Sequence, residues 1–422
     1  MNIALIYHGN IPKEGGTGHV LASLFKSFKN ISDDLYFFNP FCKDKNVFKL
    51  LELKKYTYKD VLLSLKDKEF LRGFLISIWK IITDKKSSFP DKIKMISYLL
   101  IKPTVLLHTI KNFLLISPYI KHLDIDIILG GATSGNILPL IFILSRMFKK
   151  KCVSFTYGND FLVHSKYSLQ TYYIRNLDLM FLGAYNIKSL IKKIHPVKES
   201  QLKVIRYGLL LQEYEIKETK EDLRKEFNIP LNKFVILSVG RHVSRKNFDL
   251  VIKAISHIEK KIPDIDLEYY LIGEGEDTQK LKNLVSNLNL QNKVEFLGFT
   301  DVITRNKFFK LSDVFIMPSS IEKESVEGFG IVYIEANYFN CPVIGTFSGG
   351  VSEAVLDGET GLLIKEKDLN GLIEKILFLY NNRDKCKEMG FKGHQRVLNE
   401  FNWDKIINDY ITTFNQLLNG NK

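Results

Sequence analysis

Short apolar runs alternate with longer amphipathic segments along most of the chain. The runs predicted to be buried strands include residues 1–7, 125–129, 151–156, 234–239 and 267–272. Each run is followed by a loop rich in glycine or polar residues, and helical periodicity resumes after several of these loops. Repeated strand–loop–helix units predict an α/β fold, with doubly wound parallel sheets that carry helices on both faces. Ligands of such sheets bind at the carboxyl ends of the strands, where these loops lie.

The chain is long enough for two domains, since 422 residues exceed the usual size of one. A first strand–helix pattern closes near Gly208, and a charged stretch precedes the strand that begins at Phe234. We therefore predict a first Rossmann-like domain over 1–208 and a second over 209–400. Residues 401–422 are predicted to form an amphipathic helix whose apolar side carries Trp403, Ile406, Ile407, Tyr410 and Phe414.

Composition and charge narrow the classes of partner. The hydrophobic fraction of 45% is that of a globular protein, and the net charge of +13 favours anionic partners. Four scattered cysteines form no CxxC pair, and no apolar run reaches the roughly 18–20 residues of a membrane span. The first residues lack the basic start and the length of a signal peptide. These features together predict a cytoplasmic protein.

Residues 51–120 carry about half of the net charge. They contain 13 Lys and Arg against 6 Asp and Glu, interleaved with aromatic residues. A basic amphipathic segment of this kind binds anionic membrane surfaces, and the same composition equally fits helices that pack on the first sheet with a solvated lysine face. The membrane interpretation would place the protein at the inner face of the cell membrane. Nucleic acid is not expected as a partner, because no recognised binding motif accompanies the charge.

The segment from Ser319 to Val355 carries the most specific chemistry. Glu327 precedes Glu335 by eight positions, and Gly328-Phe329-Gly330 leads into a compact apolar stretch. A helix that opens near Gly330 would offer unpaired backbone N–H groups to a phosphate. Glu327 would then stay in the loop, while Glu335 would lie more than a turn inside the helix. The two carboxylates would address different parts of one elongated ligand, which favours a nucleotide sugar.

A second cluster of charges lies between a strand and a helix, in the sequence GRHVSRKN at 240–247. Arg241 and Lys246 are placed so that one bidentate and one point cation clamp a diphosphate. Neutralising a nucleoside-diphosphate leaving group is the electrostatic work of a glycosyl transfer. A basic loop alone would more often be surface charge, and it is the Glu327 segment downstream that favours function. The histidines show no metal-binding spacing, so we expect neither a catalytic metal nor another cofactor.

The order of motifs from about Val235 to Ile364 resembles the retaining glycosyltransferases of family 4, which have the GT-B fold. The motifs that carry the resemblance are GRHVSRKN, LIGEGED, VEFLGFT, DVFIMPSS, VEGFGIVYIEA, PVIGTFSGGVSEAV and DGETGLLI. The first half matches more loosely, through a glycine-rich first loop and the sequence TYGND. The resemblance implies two Rossmann-like domains that face a cleft, with the 401–422 helix crossing back to the first domain.

The resemblance also implies a role for each matching position. Glu327 would hold hydroxyls of the donor sugar, Glu335 the ribose hydroxyls, and Arg241 and Lys246 the diphosphate. The backbone N–H groups that follow Glu327 would contact the sugar and the phosphates; they belong to Gly328, Phe329, Gly330 and Ile331. The nucleobase would pack near Gly298 and Phe299, and Gly16 would let the first domain approach the diphosphate. On the acceptor side lie Tyr157 and Asp160, and Tyr157 stands where many family members have histidine.

The activity implied is transfer of a hexose-type sugar, with retention, from a UDP- or GDP-sugar to a lipid-linked or polysaccharide acceptor in cell-surface polysaccharide biosynthesis. Front-face attack is expected, with the leaving phosphate accepting the acceptor's proton. Alanine at Glu327 or Lys246 is expected to abolish transfer without unfolding the protein. A glycogen-synthase-like polymerase and a sugar phosphorylase share the fold class, although nothing marks a pyridoxal phosphate lysine. A membrane-associated scaffold with an inactive transferase fold is the remaining alternative, and it should bind none of UDP, GDP or ADP.

Overall fold

A computed structural model describes residues 1–7, 20–24, 26–27, 34–38, 109, 112–113, 116–117, 119–133, 137–158, 160–162, 168–322 and 325–420. Gly16 and most of the basic 51–120 segment lie outside these residues, so the expectations for them stay predictions. The chain divides into two compact units: unit 1 comprises Met1–Ile205 with Ile407–Lys422, and unit 2 comprises Arg206–Ile406.

Unit 1 contains a six-stranded sheet whose paired strands are all parallel. The strands are β1 (Asn2–Ile6), β2 (Asp34–Phe38), β3 (Ile127–Gly130), β4 (Lys151–Thr156), β5 (Leu179–Leu182) and β6 (Leu202–Val204). Their spatial order is β2-β1-β3-β4-β5-β6. The helices with defined bounds are α1 (Ile137–Phe148), α2 (Ser168–Arg175) and α3 (Tyr185–Ile194). Strand β3 is buried at every position, as expected for a strand covered on both faces.

Unit 2 contains a second six-stranded parallel sheet, in the order β12-β11-β10-β7-β8-β9. The strands are β7 (Phe234–Val239), β8 (Leu267–Ile272), β9 (Val294–Gly298), β10 (Val314–Ile316), β11 (Val343–Thr346) and β12 (Gly361–Ile364). The helices are α4 (Lys220–Glu226), α5 (Phe248–Lys261), α6 (Thr278–Asn287), α7 (Val302–Leu311), α8 (Ile331–Tyr338), α9 (Val351–Ala354), α10 (Leu369–Asn381) and α11 (Arg383–Glu400). The two parallel-sheet α/β domains predicted from the alternating pattern are confirmed.

The last helix, α12 (Trp403–Asn419), begins in unit 2, and its residues from Ile407 onward belong to unit 1. Within unit 1, the ring of Tyr410 lies 4.8 Å from that of Phe181, and Phe414 lies 5.2 Å from the same ring. All five apolar positions predicted on one side of this helix are buried. The helix therefore contributes aromatic side chains to the core of unit 1.

A buried carboxylate, Asp313, ties three elements of unit 2 together. Its Oδ1 accepts from Lys220 Nζ at 2.7 Å, and its Oδ2 accepts from Arg224 and from the backbone N–H of Val235, each at 2.7 Å. Burial alone would raise the pKa of Asp313, but the Lys220 and Arg224 cations outweigh burial and lower it. Helix α4 is thereby anchored to the start of β10 and to β7.

Replacing Asp313 by asparagine should lower the free energy of unfolding by about 3 kcal/mol, because the Arg224 guanidinium is left buried without its anion. Since the folded pKa lies below the ordinary value, the unfolded chain takes up this proton first as the pH falls. The stabilisation is thus complete above about pH 5 and is lost progressively below it. Urea unfolding followed by circular dichroism at pH 7 and pH 4 measures both effects, with a smaller difference between wild type and variant at pH 4. Asp384→Asn, at a fully exposed position near Lys387, is the control and should change little. Equal effects of the two substitutions would contradict the anchoring role.

Candidate functional site

Two loops of unit 2 meet because their strands are neighbours in the sheet. Strand β10 lies between β7 and β11, so the loops that follow β7 and β10 emerge side by side at the carboxyl edge. The first loop contains a short 3₁₀ helix, Ser244–Lys246, and the backbone N–H of Ser320 in the second loop donates to the carbonyl of Arg245 at 2.9 Å. Helix α8 starts at Ile331 after Gly330, which confirms the predicted start of this helix.

Glu327 forms a buried ion cluster with two cations of the first loop. Its Oε2 accepts from Lys246 Nζ at 2.6 Å and from Arg245 Nη1 at 2.7 Å, and no more than 13% of any of the three side chains is exposed. The Lys246 ammonium also lies 3.2 Å from the sulfur of Met317. The cluster therefore joins the loop after β7 to the loop after β10 through charge-assisted hydrogen bonds.

The pKa shifts in this cluster follow from burial and charge. Burial alone would raise the pKa of the Glu327 carboxyl, but Lys246 and Arg245 outweigh burial and lower the pKa to about 2. Burial lowers the pKa of the Lys246 ammonium, and the Glu327 carboxylate opposes that effect. Glu327 is therefore an anion throughout the neutral range. With so low a pKa it is a weak base, which favours recognition over proton transfer.

Arg245 is a member of this cluster that sequence reasoning missed. The pattern GRHVSRKN drew attention to Arg241 as the partner of Lys246, and Arg241 is exposed in the structure. Its charge still contributes to the lowered pKa of Lys246, so the two cations are near each other. The available signal was the adjacent Arg–Lys pair, because a 3₁₀ turn through both residues places both cations against one carboxylate. Arg241 keeps its predicted role toward a diphosphate as an open prediction.

The backbone of the Glu327 loop is held by two glycines that follow β11. The N–H of Gly350 donates to the carbonyl of Glu327 at 2.9 Å. A Cβ on Gly350 would lie 2.1 Å from the carbonyl oxygen of Gly328, and one on Gly349 would lie 2.3 Å from the carbonyl oxygen of Glu327. The glycine pair in the sequence TFSGGVSEA is thus required by close backbone contact with residues 327 and 328.

A similar close approach explains the GEGE sequence after β8. A Cβ on Gly273 would lie 2.2 Å from the carbonyl oxygen of Gly240, and one on Gly275 would lie 2.3 Å from that of His242. These glycines let the loop after β8 pack directly under the loop that carries Arg245 and Lys246. His242 is fully buried against Phe248 and Phe296, and burial lowers its pKa, so it is a neutral core residue.

Glu335, the second predicted carboxylate, lies in a separate buried network. Its Oε1 accepts a hydrogen bond from Tyr214 Oη at 2.8 Å and forms an ion pair with Arg305, whose Nη2 lies 3.1 Å away. The side chain of Glu335 is 8% exposed. Because Glu327 and Glu335 are held by different cations, they do not share a proton. Tyr214 and Arg305 come from distant positions in the chain, and neither was predicted.

The loop after β9 presents an aromatic side chain to solvent. Gly298 has a left-handed backbone with φ of 66°, and Phe299 beside it is 83% exposed. The predicted packing surface for a nucleobase therefore has an accessible apolar ring as well as backbone.

In unit 1, Asp160 holds the loops after β3 and β4 together. Its Oδ2 accepts from the N–H and the hydroxyl of Thr133 at 2.9 and 2.7 Å. Its Oδ1 accepts from the hydroxyl of Thr156 at 2.6 Å and from the N–H groups of Tyr157 and Gly158 at 2.9 and 3.2 Å. Both oxygens are thus engaged by the protein, and the predicted acceptor role of Asp160 stays a prediction. The predicted acceptor role of Tyr157, whose ring is stacked 6.3 Å from that of Phe155, stays untested.

Among the residues with described positions, no three His, Cys, Asp or Glu side chains are grouped so that they could hold a metal ion. None of the described helices is both long and apolar enough to span a bilayer.

Substituting Gly350 with alanine should lower the free energy of unfolding by about 2 kcal/mol, because the new Cβ overlaps the carbonyl of Gly328 and must push the loop away. Gly358→Asn is the control, with an expected effect smaller than that of Gly350→Ala: a Cβ at Gly358 would meet no atom within 4 Å, and asparagine is among the residues that adopt a positive φ most readily. Urea unfolding measures both variants. An unchanged midpoint for Gly350→Ala would show that the loop is not held by this contact.

The second half of the chain matches a known family. Residues 219–396 match the model of the family described as glycosyl transferases group 1. The matched range includes Lys246, Glu327 and Glu335, and it lies within unit 2.

Curated relatives share moderate identity over parts of their length. The chain is 28% identical over 235 residues to the N-acetyl-alpha-D-glucosaminyl L-malate synthase of Bacillus anthracis, covering 56% of this chain and 59% of that protein. It is 30% identical over 171 residues to a GDP-mannose-dependent alpha-(1-6)-phosphatidylinositol monomannoside mannosyltransferase of Mycolicibacterium smegmatis, covering 40% of this chain and 44% of the relative. The chain thus spans about half the length of the curated relatives it matches.

Solved structures extend the likeness in fold to nearly the whole chain. The HepE protein of Anabaena, crystallised with UDP and glucose, superposes with a TM-score of 0.71 at 18% identity, covering 99% of this chain and 100% of that one. A sucrose-phosphate synthase from Thermosynechococcus elongatus superposes with a TM-score of 0.74 at 18% identity, covering 99% of each chain. These likenesses confirm the GT-B fold class. Residues 219–396 of this chain are thus similar to the glycosyl transferases group 1.

Proposed function

We propose that this protein transfers a hexose-type sugar, with retention, from a UDP- or GDP-sugar to a lipid-linked or polysaccharide acceptor. The observation that carries the proposal is the buried cluster of Glu327 with Lys246 and Arg245, which lies just before the N-terminus of α8. It offers an ionised carboxylate for sugar hydroxyls next to cations for a diphosphate. A nucleotide sugar is the ligand that carries both groups side by side.

The electrostatics suit a diphosphate leaving group. Lys246 is buried, Arg241 lies near it, and the start of α8 adds the partial positive charge of a helix N-terminus. These charges stabilise the negative charge that develops on the leaving phosphate as the glycosidic bond breaks. Protein cations do this work in our proposal, so no metal cofactor is needed.

The state of Glu327 favours a front-face mechanism. A retaining enzyme that forms a covalent intermediate needs a free carboxylate nucleophile close to a second carboxyl group. Glu327 is held by two cations with its pKa near 2, and Glu335 is held in another network. We therefore assign the acceptor's proton to the leaving phosphate and sugar recognition to Glu327.

Two parts of the donor remain to be assigned, its ribose and its nucleobase. We assign the ribose hydroxyls to Glu335 and the nucleobase to the surface formed by Gly298 and Phe299. The similar proteins support both classes of donor, since one is a GDP-mannose-dependent mannosyltransferase and the HepE protein was crystallised with UDP.

The acceptor assignment rests on charge and on the relatives. A relative from Rhizobium meliloti acts in lipopolysaccharide core biosynthesis, and the mannosyltransferase named above acts on a phosphatidylinositol mannoside. An acceptor on an anionic membrane suits the net charge of +13. We therefore propose cell-surface polysaccharide or glycolipid assembly at a membrane surface, with residues 51–120 as the contact.

Lys246→Ala should weaken binding of UDP or GDP by about 10- to 100-fold and reduce turnover by about 100-fold or more, because the diphosphate loses its buried cation. Arg245 stays with Glu327 in this variant, so the carboxylate keeps a partner and the fold should persist. Glu327→Ala instead leaves two buried cations unpaired and should also destabilise the protein by about 3 kcal/mol. A loss of this size weakens the fold without unfolding the protein, so the expected loss of transfer in Glu327→Ala can still be measured on folded protein.

Calorimetry with UDP, GDP and ADP measures the binding change, and release of the nucleotide from candidate donors measures turnover. Lys253→Ala is the control, because Lys253 is a half-exposed lysine of α5 paired with Asp249. Wild-type affinity in Lys246→Ala would refute the site, and wild-type protein that binds none of the three nucleotides would refute the proposed function.

Removing divalent metals should leave turnover unchanged, because protein cations neutralise the diphosphate. The measurement is donor turnover before and after treatment with excess EDTA, with add-back of Mg²⁺ and Mn²⁺. Loss of activity that either ion restores would show that a metal takes part.

A further inference from the structure

Glu335 is held by two side chains that come from separate elements of unit 2. Tyr214 ends a short 3₁₀ helix at Leu211–Tyr214, Arg305 lies in α7, and Glu335 lies in α8. Tyr214 is 1% exposed, and 21% of the Arg305 side chain is exposed. The three side chains thus form a largely buried polar cluster, which we call the Glu335 clamp.

Both donors of the clamp contact the same carboxylate oxygen. Tyr214 Oη lies 2.8 Å from Glu335 Oε1, and Arg305 Nη2 lies 3.1 Å from it. Among the described residues, none donates a hydrogen bond to Oε2. An ionised carboxylate can accept on both oxygens, so the clamp leaves one oxygen for hydroxyls from outside the protein.

Tyr214 donates its proton to Glu335, and Arg305 brings a cation to it. Burial and the Glu335 charge raise the pKa of Tyr214 well above its ordinary value, so the phenol keeps its proton and donates it. Burial alone would lower the pKa of Arg305, but Glu335 and the other polar neighbours of the guanidinium together outweigh burial and raise it.

We propose that Tyr214 and Arg305 are positioning residues that fix the Glu335 carboxylate so that its Oε2 accepts the ribose hydroxyls of the donor nucleotide. The inference rests on the proposed function, because it takes Glu335 as the ribose-binding residue. A glutamate that is already fixed loses less side-chain entropy when ligand binds, so the clamp raises affinity without touching the ligand. Its contribution should exist only for ligands that carry ribose hydroxyls.

The hydroxyl of Tyr214 can be removed without a change in the packing of its ring. Its ring packs 5.7 Å from Tyr338 and 6.3 Å from Phe339, and Tyr214→Phe keeps this packing while it removes the hydroxyl. Tyr338 provides a matched control, because its own hydroxyl donates to the carbonyl of Leu211 at 3.4 Å and not to Glu335. The two substitutions remove the same group from adjacent rings.

The experiment compares two ligands on each protein by calorimetry: the nucleoside diphosphate that wild type binds better, UDP or GDP, and its 2′,3′-dideoxy counterpart. Tyr214→Phe should weaken the ribonucleotide by about 10-fold and leave the affinity for the dideoxy ligand unchanged. Arg305→Gln should act in the same direction. Tyr338→Phe should change neither affinity. Glu335→Gln should remove most of the preference for the ribonucleotide.

The outcomes distinguish failure of the positioning role from failure of the proposed function. If Tyr214→Phe and Arg305→Gln each weaken both ligands equally, or neither, while Glu335→Gln loses the preference, the positioning role is overturned and the ribose assignment stands. If Glu335→Gln keeps the full preference, the ribose assignment fails and the inference fails with it. Wild-type protein that binds neither UDP nor GDP overturns the proposed function itself.

Discussion

The arrangement of the site depends on one buried carboxylate, Glu327, which is held between Lys246 and Arg245. A buried ion of this kind is stable only when its partners satisfy it, so the loops after β7 and β10 must keep their relative position. That requirement places the anion that we propose for sugar recognition and the cation that we propose for the diphosphate at adjacent points of the sheet edge. Binding of a diphosphate beside Lys246 would then add a second anion next to the charge of Glu327.

Backbone packing supports the ion cluster from two sides. Gly349 and Gly350 pack closely against the carbonyls of residues 327 and 328. Gly273 and Gly275 pack in the same way against the loop that carries Arg245 and Lys246. None of these positions tolerates a Cβ without a shift of backbone. The glycines near the site therefore act mainly by letting loops approach each other, and the charged side chains act on the rigid base that results.

The two carboxylates of the site have different tasks because their partners differ. Glu327 faces Lys246 and Arg245, whereas Glu335 faces Arg305 and the phenol of Tyr214. Neither pair leaves a free acid and a free base side by side, which separates this site from that of a glycoside hydrolase. Recognition of an elongated ligand at two points is the use that fits this geometry.

The sequence by itself determined the α/β class, the parallel sheets and the start of α8 near Gly330, and it singled out Glu327, Glu335 and Lys246 as candidate site residues. Local patterns in the sequence predict those features: apolar runs, glycines at strand ends and charges at fixed spacing. It did not determine that Arg245 pairs with Glu327, that Asp160 is engaged on both oxygens, or that Tyr214 and Arg305 hold Glu335. Tyr214 and Glu335 are 121 positions apart, and Arg245 and Glu327 are 82 apart. Only the folded sheet brings such residues within hydrogen-bond distance, because the order of its strands, and not distance along the chain, decides which loops are neighbours.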